Sequence, residues 1–223
     1  MHWNERWLST HIFTEPQPYC PMWELQKKWV NEIDRYERLP SLLLLEHNPV
    51  YTMGRSAHDE HLLISQEKCQ EMGIELASID RGGDITYHGP GQLVGYPLIM
   101  LNQWNNDAHL YLRKLEETII KTLAHFGIKA ERKPPYTGVW VGDEKVAAIG
   151  VKFNRGRHSK SFITSHGFAL NVNTDLTYFD HIIPCGIRQY GVTSMAKLLG
   201  HPCPMDEVTA LYRQSFAEEF QFE

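Results

Sequence analysis

Apolar positions recur with helical spacing in some stretches of this chain and run continuously or alternate in others, and each pattern predicts its own element. Met22, Gln26, Trp29, Ile33 and Tyr36 share one face of a helix that Pro40 closes. Leu42, Leu43, Leu44 and Leu45 form a short run of buried-strand type, and residues 50–53 read as a further strand after the Asn48-Pro49 turn. Ser65 is placed to cap a short helix ending at Gly73, and Leu112, Leu115, Ile119, Leu123 and Phe126 make a longer stripe stopped by Gly127. Residues 138–172 carry a strand pattern: 139–141, a Gly142-Asp143 turn, 146–153, a basic loop at Arg155-Gly156-Arg157, then 161–172 as the second arm of a hairpin. A final helix opened by Pro204 and Asp206 places Val208, Leu211, Tyr212 and Phe216 on one side. Helices and strands interleave without regular βαβ alternation, so the expected fold class is α+β, a mixed sheet covered by helices.

Composition narrows the function classes. The 223 residues, 42% hydrophobic and 22% charged, suffice for one large core without disulfide or metal support, so a single domain spanning 1–223 is expected. A formal net charge of −5 supplies no global field toward nucleic acid or an anionic membrane. The N-terminal stretch has no long apolar run and carries Glu5 and Glu15, against a secretory or transit peptide, and no window resembles a membrane span. Cys20, Cys69, Cys185 and Cys203 are scattered without a CxxC pair. Neither a zinc ribbon nor a disulfide framework is indicated, and a reducing compartment, the cytoplasm, is expected.

The richest stretch is Arg81-Gly-Gly-Asp-Ile-Thr-Tyr-His-Gly-Pro-Gly-Gln-Leu-Val-Gly-Tyr-Pro-Leu98, with five glycines beside Arg81, Tyr87 and His88. Glycine takes positive φ and lacks a Cβ, so Gly82-Gly83 and Gly89-Pro90-Gly91 can bring backbone N–H groups to a ligand. Tight turns between strands are the plainer reading. Cys185, in Ile182-Ile-Pro-Cys-Gly-Ile187, is the candidate nucleophile, although a cysteine among isoleucines also serves as a small buried hydrophobe. A thiol reacts as the thiolate and needs a base or cation nearby. Lys145, at the mouth of a strand containing Ala147-Ala148-Ile149-Gly150, offers one, a solvated hairpin lysine being the alternative. Cys69 reads as structural within a helix, and Cys20 and Cys203 as loop residues beside prolines.

Together these segments resemble the lipoyl(octanoyl) transferases. The likeness runs from Leu42-Leu-Leu-Leu-Glu-His-Asn-Pro-Val-Tyr-Thr-Met-Gly-Arg55 through Arg81–Leu98, Lys145–Gly150 and His166-Gly-Phe-Ala-Leu-Asn-Val172 to Ile183-Pro-Cys-Gly186 and Gly191-Val-Thr-Ser194. The resemblance implies the catalytic fold of biotin and lipoate protein ligases. It also implies an enzyme that moves an octanoyl group from octanoyl-acyl carrier protein to a lysine of lipoyl domains, those of 2-oxoacid dehydrogenase complexes and the glycine cleavage H protein. Cys185 becomes the carrier of an acyl thioester and Lys145 its acid and base. Substrate binding falls on Arg81, Gly82, Gly83, Asp84, Ile85, Thr86, Tyr87 and His88, on Ala148, Ile149 and Gly150, and on Gly167, Phe168 and Ala169.

The same resemblance implies neither ATP nor a metal, because the incoming thioester is already activated and phosphopantetheine arrives on the carrier. A monomer that binds no nucleic acid and no membrane is expected. Tyr87, Leu93, Ile149 and Phe168 are candidates to line the acyl chain, and His88 and His166 either to orient the thioester or to make structural hydrogen bonds. The loop Arg155-Gly-Arg-His-Ser-Lys160 is a candidate dock for an acidic carrier. Three alternatives stay open: an ATP-dependent lipoate or biotin ligase of the same fold, an octanoyl relay between lipoyl domains, and a non-catalytic carrier-binding or metal-binding protein using His58-Asp-Glu-His61.

Overall fold

The computed structural model describes residues 6–223; Glu5, counted above against a signal peptide, lies outside them. Along the chain run β1 (Ser9–Ile12), α1 (Tyr19–Asp34), β2 (Ser41–Leu45), β3 (Val50–Met53), α2 (Gln66–Glu71), β4 (Glu75–Ser78), β5 (Ile85–His88) and β6 (Gln92–Leu98). There follow α3 (Ala108–His125), β7 (Glu131–Lys133), β8 (Tyr136–Val141), β9 (Glu144–Arg155), β10 (Phe162–Asn171), β11 (Gly191–Val192), α4 (Met195–Leu199) and α5 (Met205–Phe220). The main sheet has the order β1-β2-β6-β10-β9-β8-β7, with β11 alongside β9, and a small sheet has the order β4-β3-β5. Among the described strands β1–β2, β9–β11 and β3–β4 pair in parallel and the rest antiparallel, so the sheets are mixed as expected.

The leucine run shows why the main sheet is central. Successive strand side chains point to opposite faces, so a strand apolar at every position must be covered on both. Leu42 and Leu44 join the core beneath α3 and α5, whereas Leu43 and Leu45 pack under α1. Helix α1 therefore covers one face of the main sheet and α3 with α5 the other, while α2 packs against the small sheet.

Several boundaries differ from the apolar spacing. Helix α1 opens at Tyr19, which puts Cys20 in its first turn and not in a loop. First-turn N–H groups have no intrahelical acceptor, so Pro21 removes nothing the helix uses. Tyr36 falls beyond the helix end, exposed and left-handed (φ 58), rather than on its buried face. On α3 the buried face centres on Tyr111, Leu115, Ile119 and Leu123, with Leu112 and Phe126 at its margin.

The Gly89-Pro90-Gly91 turn carries the chain from the small sheet into the main one, since β5 pairs with β3 whereas β6 pairs with β2 and β10. Gly91 has φ 82, and an added Cβ would stand 2.6 Å from the Asn173 carbonyl oxygen. Its own carbonyl accepts from the N–H groups of Val172 and Asn173. Gly91 thus serves the crossing between sheets, and its own N–H donates to the Glu46 carboxylate.

Candidate active site

Strands β5, β9 and β10 meet the 81–84 loop around a narrow cleft of about 50 Å³. Thr86 and His88 reach it from β5, Ala148, Ile149 and Gly150 from β9, and Gly167, Phe168 and Ala169 from β10. Arg81, Gly82, Gly83, Asp84 and Cys185 complete the expected lining, joined by Tyr19 and Tyr96. Ile85 and Tyr87 are not brought in. Alternation along β5 turns them to its other face, where they pack with Tyr51, Cys69 and Phe179, and Leu93 likewise faces the main core.

Arg81 is buried, and its guanidinium donates to Gly82 O at 3.0 Å, Thr52 O at 2.7 Å and Thr52 Oγ1 at 2.8 Å, all neutral acceptors. Burial draws it below the usual guanidinium range, an effect that Tyr19 and Cys185, as groups able to become anions, oppose. Room for this side chain comes from two glycines. A Cβ on Gly54 would stand 2.7 Å from Arg81 Nη1, and one on Gly150 would stand 3.0 Å from Arg81 Cδ.

The histidines of the cleft are tied at both ring nitrogens. His88 Nδ1 lies 2.8 Å from Gln92 Oε1 and Nε2 lies 3.4 Å from Thr52 Oγ1. Gln92 Nε2 donates to Tyr87 O and Asn171 Oδ1, which fixes the amide and makes its oxygen the acceptor of the Nδ1–H. Burial, with His47 adding repulsion, pushes His88 well below the ordinary imidazole range, so the ring is neutral. His166 sits in a left-handed conformation (φ 56) within β10. Its Nε2 faces Asp80 Oδ1 at 2.9 Å and its Nδ1 faces the Tyr19 hydroxyl at 3.4 Å. Burial lowers His166 too, while hydrogen bonds from His166 and Lys152 hold the Asp80 carboxyl far below its normal range.

Cys185 and Lys145 meet at a second, smaller cavity, whose wall also includes Thr86, Gln92, Asn171 and Val192. Cys185 lines both cavities. Three local devices bring the pair together. Chain past the cysteine returns as β11, where Val192 registers beside Lys145 and Thr193 N–H donates to Lys145 O at 3.0 Å. In β9 the ladder to β8 skips a residue: Val139 faces Ala147 but Trp140 faces Lys145. This bulge lets Val146 and Ala147 both enter the core while Lys145 and Ala148 both face the cavity. Finally, the Lys145 stem runs over Gly138, and its Nζ stands 4.9 Å from the Trp140 ring centroid. Cys185 itself has φ 56 in a 3-10 turn (Pro184–Gly186).

The model of the lipoyl protein ligase A/B catalytic domain family matches residues 18–217. An octanoyltransferase of Rubrobacter xylanophilus is 52% identical over 202 residues, which cover 90% of this chain and 88% of that protein. This chain belongs to the octanoyltransferases. It is therefore an acyltransferase, and a second octanoyltransferase, from Solibacter usitatus, matches at 47% over 92% of this chain and 90% of that one. Among solved structures, lipoate-protein ligase A bound with ATP superposes with a TM-score of 0.75 at 18% identity, covering 96% of this chain and 87% of that one. A bipartite lipoate protein ligase from Thermoplasma acidophilum gives 0.70 at 18% identity, over 97% and 85% of the two chains. An apo biotin protein ligase from Aquifex aeolicus gives 0.53 at 15% identity, over 96% and 70%. These similarities establish the shared biotin and lipoate ligase fold.

Two further segments of the octanoyltransferase take defined places in its structure. The basic loop at 155–160 is the tip of the β9–β10 hairpin, held by Asp34, whose carboxylate accepts from the N–H groups of Arg157, His158 and Ser159. It stands ten residues along β9 from Lys145, about 33 Å of strand at about 3.3 Å per residue. His61 turns its Nδ1 to Asp84 and not to His58, whose ring meets it edge-on. Among the described residues no helix is long and apolar enough to cross a membrane. Gly54, Thr52, Tyr19 and Tyr96 were missed because nothing in their spacing signals that they face Arg81 and the cleft.

Proposed function

We propose that this octanoyltransferase takes an octanoyl group from octanoyl-acyl carrier protein onto Cys185 and passes it to a lysine of lipoyl domains. One observation carries the reading: Cys185 is shared by the open cleft and by the cavity that holds Lys145. In the first half-reaction Lys145 Nζ takes the thiol proton, the sulfur bonds to the thioester carbon, and the departing phosphopantetheine thiolate leaves with that proton. In the second, the lysine amine of the acceptor attacks the acyl-cysteine. Its surplus proton passes through Lys145 to the Cys185 thiolate as the carbon–sulfur bond breaks. The buried Arg81 cation supplies positive charge on the same wall as the developing oxyanion. The incoming thioester is already activated, so neither ATP nor a metal enters the scheme.

The acyl tail belongs in the cleft, against Ile149, Phe168 and Ala169. Burying an eight-carbon chain there contributes roughly 5 kcal/mol at about 0.8 kcal/mol per methylene. On its other side the Lys145 cavity shares Phe179, Pro184 and Val192 with an open surface groove of about 410 Å³. With the tail fixed in the cleft, departing arm and arriving lysine both use this second side. The lipoyl domain as acceptor draws support from the Thermoplasma ligase, which is paired in its structural description with an E2 lipoyl domain. Intact-mass measurement after mixing with octanoyl-acyl carrier protein, without ATP, tests the scheme. The wild type gains a hydroxylamine-labile octanoyl increment that Cys185→Ser lacks and Lys145→Ala acquires slowly. Full transfer by Cys185→Ser overturns it.

A further inference from the structure

Behind the nucleophile lies a polar pair that the chemistry above leaves unused. His61 ends a 3-10 turn (Asp59–His61), and its Nδ1 stands 2.5 Å from Asp84 Oδ2, with the two side chains 12% and 9% exposed. The other carboxylate oxygen, Asp84 Oδ1, accepts from Ile85 N–H at 2.7 Å, so the start of β5 sets its orientation. Gly186 abuts this pair: a Cβ there would stand 2.8 Å from Asp84 Oδ2 and 3.3 Å from His61 Cε1. The backbones are joined as well, since Ile183 N–H donates to His61 O and Leu63 N–H to His181 O, each at 2.8 Å. Just past these anchors Cys185 and Gly186 take consecutive left-handed conformations, φ 56 and φ 68. A cysteine holds that conformation only where its surroundings over-determine it.

We propose that the His61–Asp84 hydrogen bond is a positioning device that sets the left-handed Cys185–Gly186 turn and so aims the sulfur at the acyl carbon. The inference rests on Cys185 being the acylated residue. The bond fixes the rotation of the imidazole and the height of the carboxylate together. The result is a flat polar wall that only a glycine can approach, and the residue before that glycine is the nucleophile. An apolar pair would fill the same space without fixing one orientation, because dispersion contacts are not directional. Asp84 also borders the cleft, so contact with the substrate is the competing role, and the two differ in what they do to the Michaelis constant.

The experiment uses the full chain carrying Cys20→Ala, which removes an exposed thiol on α1 that lines neither cavity. His61→Ala is expected to slow acylation of Cys185 by octanoyl-acyl carrier protein by about 10²-fold, the effect of misplacing a reacting atom by about 1 Å. The carrier Michaelis constant should stay within about two-fold, the split expected when positioning and not binding is lost. Alkylation of Cys185 by iodoacetamide, which needs no carrier, should change rate as well. His61→Asn, whose amide N–H can replace the Nδ1–H, should recover most of the acylation rate. The idea is overturned if His61→Ala acylates within about two-fold of the parent. It is equally overturned if the Michaelis constant rises while alkylation is unchanged, or if His61→Asn restores melting temperature but not rate. Should the parent gain no octanoyl mass, the proposed function fails, and the alkylation rates still decide whether His61 shapes the turn.

Discussion

At the scale of single residues, the site is built as much by missing side chains as by those present. Arg81 threads between Gly54 and Gly150, and its hydrogen bonds to Thr52 and Gly82 hold the guanidinium against the cleft. A methyl group at position 54 would push on Arg81 Nη1 and on the Gly83 carbonyl, which is backbone and yields little. Gly54→Ala is therefore expected to lower stability by about 1–3 kcal/mol, the range for overpacking a tight interior. Acylation of Cys185 should fall beyond what unfolding explains, because the cation is displaced. Denaturant unfolding and single-turnover acylation measured on the same variant check both parts, and a stable variant with normal acylation would show that Arg81 has slack. The residue types of this constellation were legible in the sequence, where Arg81, His88, Lys145 and Cys185 stand out. Which of their neighbours face them was not, since it depends on strand alternation: Thr86 and His88 turn toward the cleft while Ile85 and Tyr87 turn away.

At the scale of elements, local periodicity revealed the long pieces and concealed the joints that create the site. The Leu42–Leu45 run, the stripe on α3 and the β9–β10 hairpin are strong patterns because many residues repeat one requirement. A bulge, a sheet crossing and a two-residue strand are each set by tertiary pairing. No period announces them, yet the bulge and the two-residue strand help place Lys145 and Cys185 together, and the crossing carries the chain from β5 into β6. The bulge depends on β8 as well, where Gly138 has φ 133 and donates its N–H to the wholly buried Glu116 at 3.1 Å. Glu116 is paired with Arg113 and Arg132, so this anchor on α3 is charge-balanced. A Cβ at 138 would stand 2.7 Å from Ala147 O and 3.4 Å from Lys145 Cε. Gly138→Ala should thus shift the lysine and depress both half-reactions, with a loss of about 1–3 kcal/mol in stability from the unfavourable φ. Separate single-turnover assays of acylation and transfer read it, and a defect confined to one of them would remove Lys145 from the other.

At the scale of the whole molecule, the core encloses histidines that must stay neutral, and this makes folding sensitive to mild acid. His47 is fully buried, with Nδ1 donating to Gln17 O at 2.8 Å and Nε2 2.6 Å from the Tyr96 hydroxyl, which donates to it. Burial lowers it from the ordinary 6.5 to about 4, and burial lowers His88 and His166 as well. Each therefore takes up a proton in the unfolded chain before it does in the folded one. The stability this neutrality confers is complete above pH 6.5 or so and is lost as the pH falls toward the folded values, which for His47 alone amounts to about 3 kcal/mol by pH 4. Asp80 does not offset the loss in that window. Its carboxyl is held low by His166 and Lys152, so its own contribution persists until the pH is more acidic still. Urea unfolding at successive pH values between 7 and 5 should show stability falling throughout. His47→Gln should keep a donor toward Gln17 while removing the titration, and so flatten the slope by up to about 1.4 kcal/mol per pH unit, the contribution of one proton. A parent whose stability is level over that range would mean that the buried rings accept protons without unfolding, and that the polar wall around Arg81 is wetter than its packing indicates.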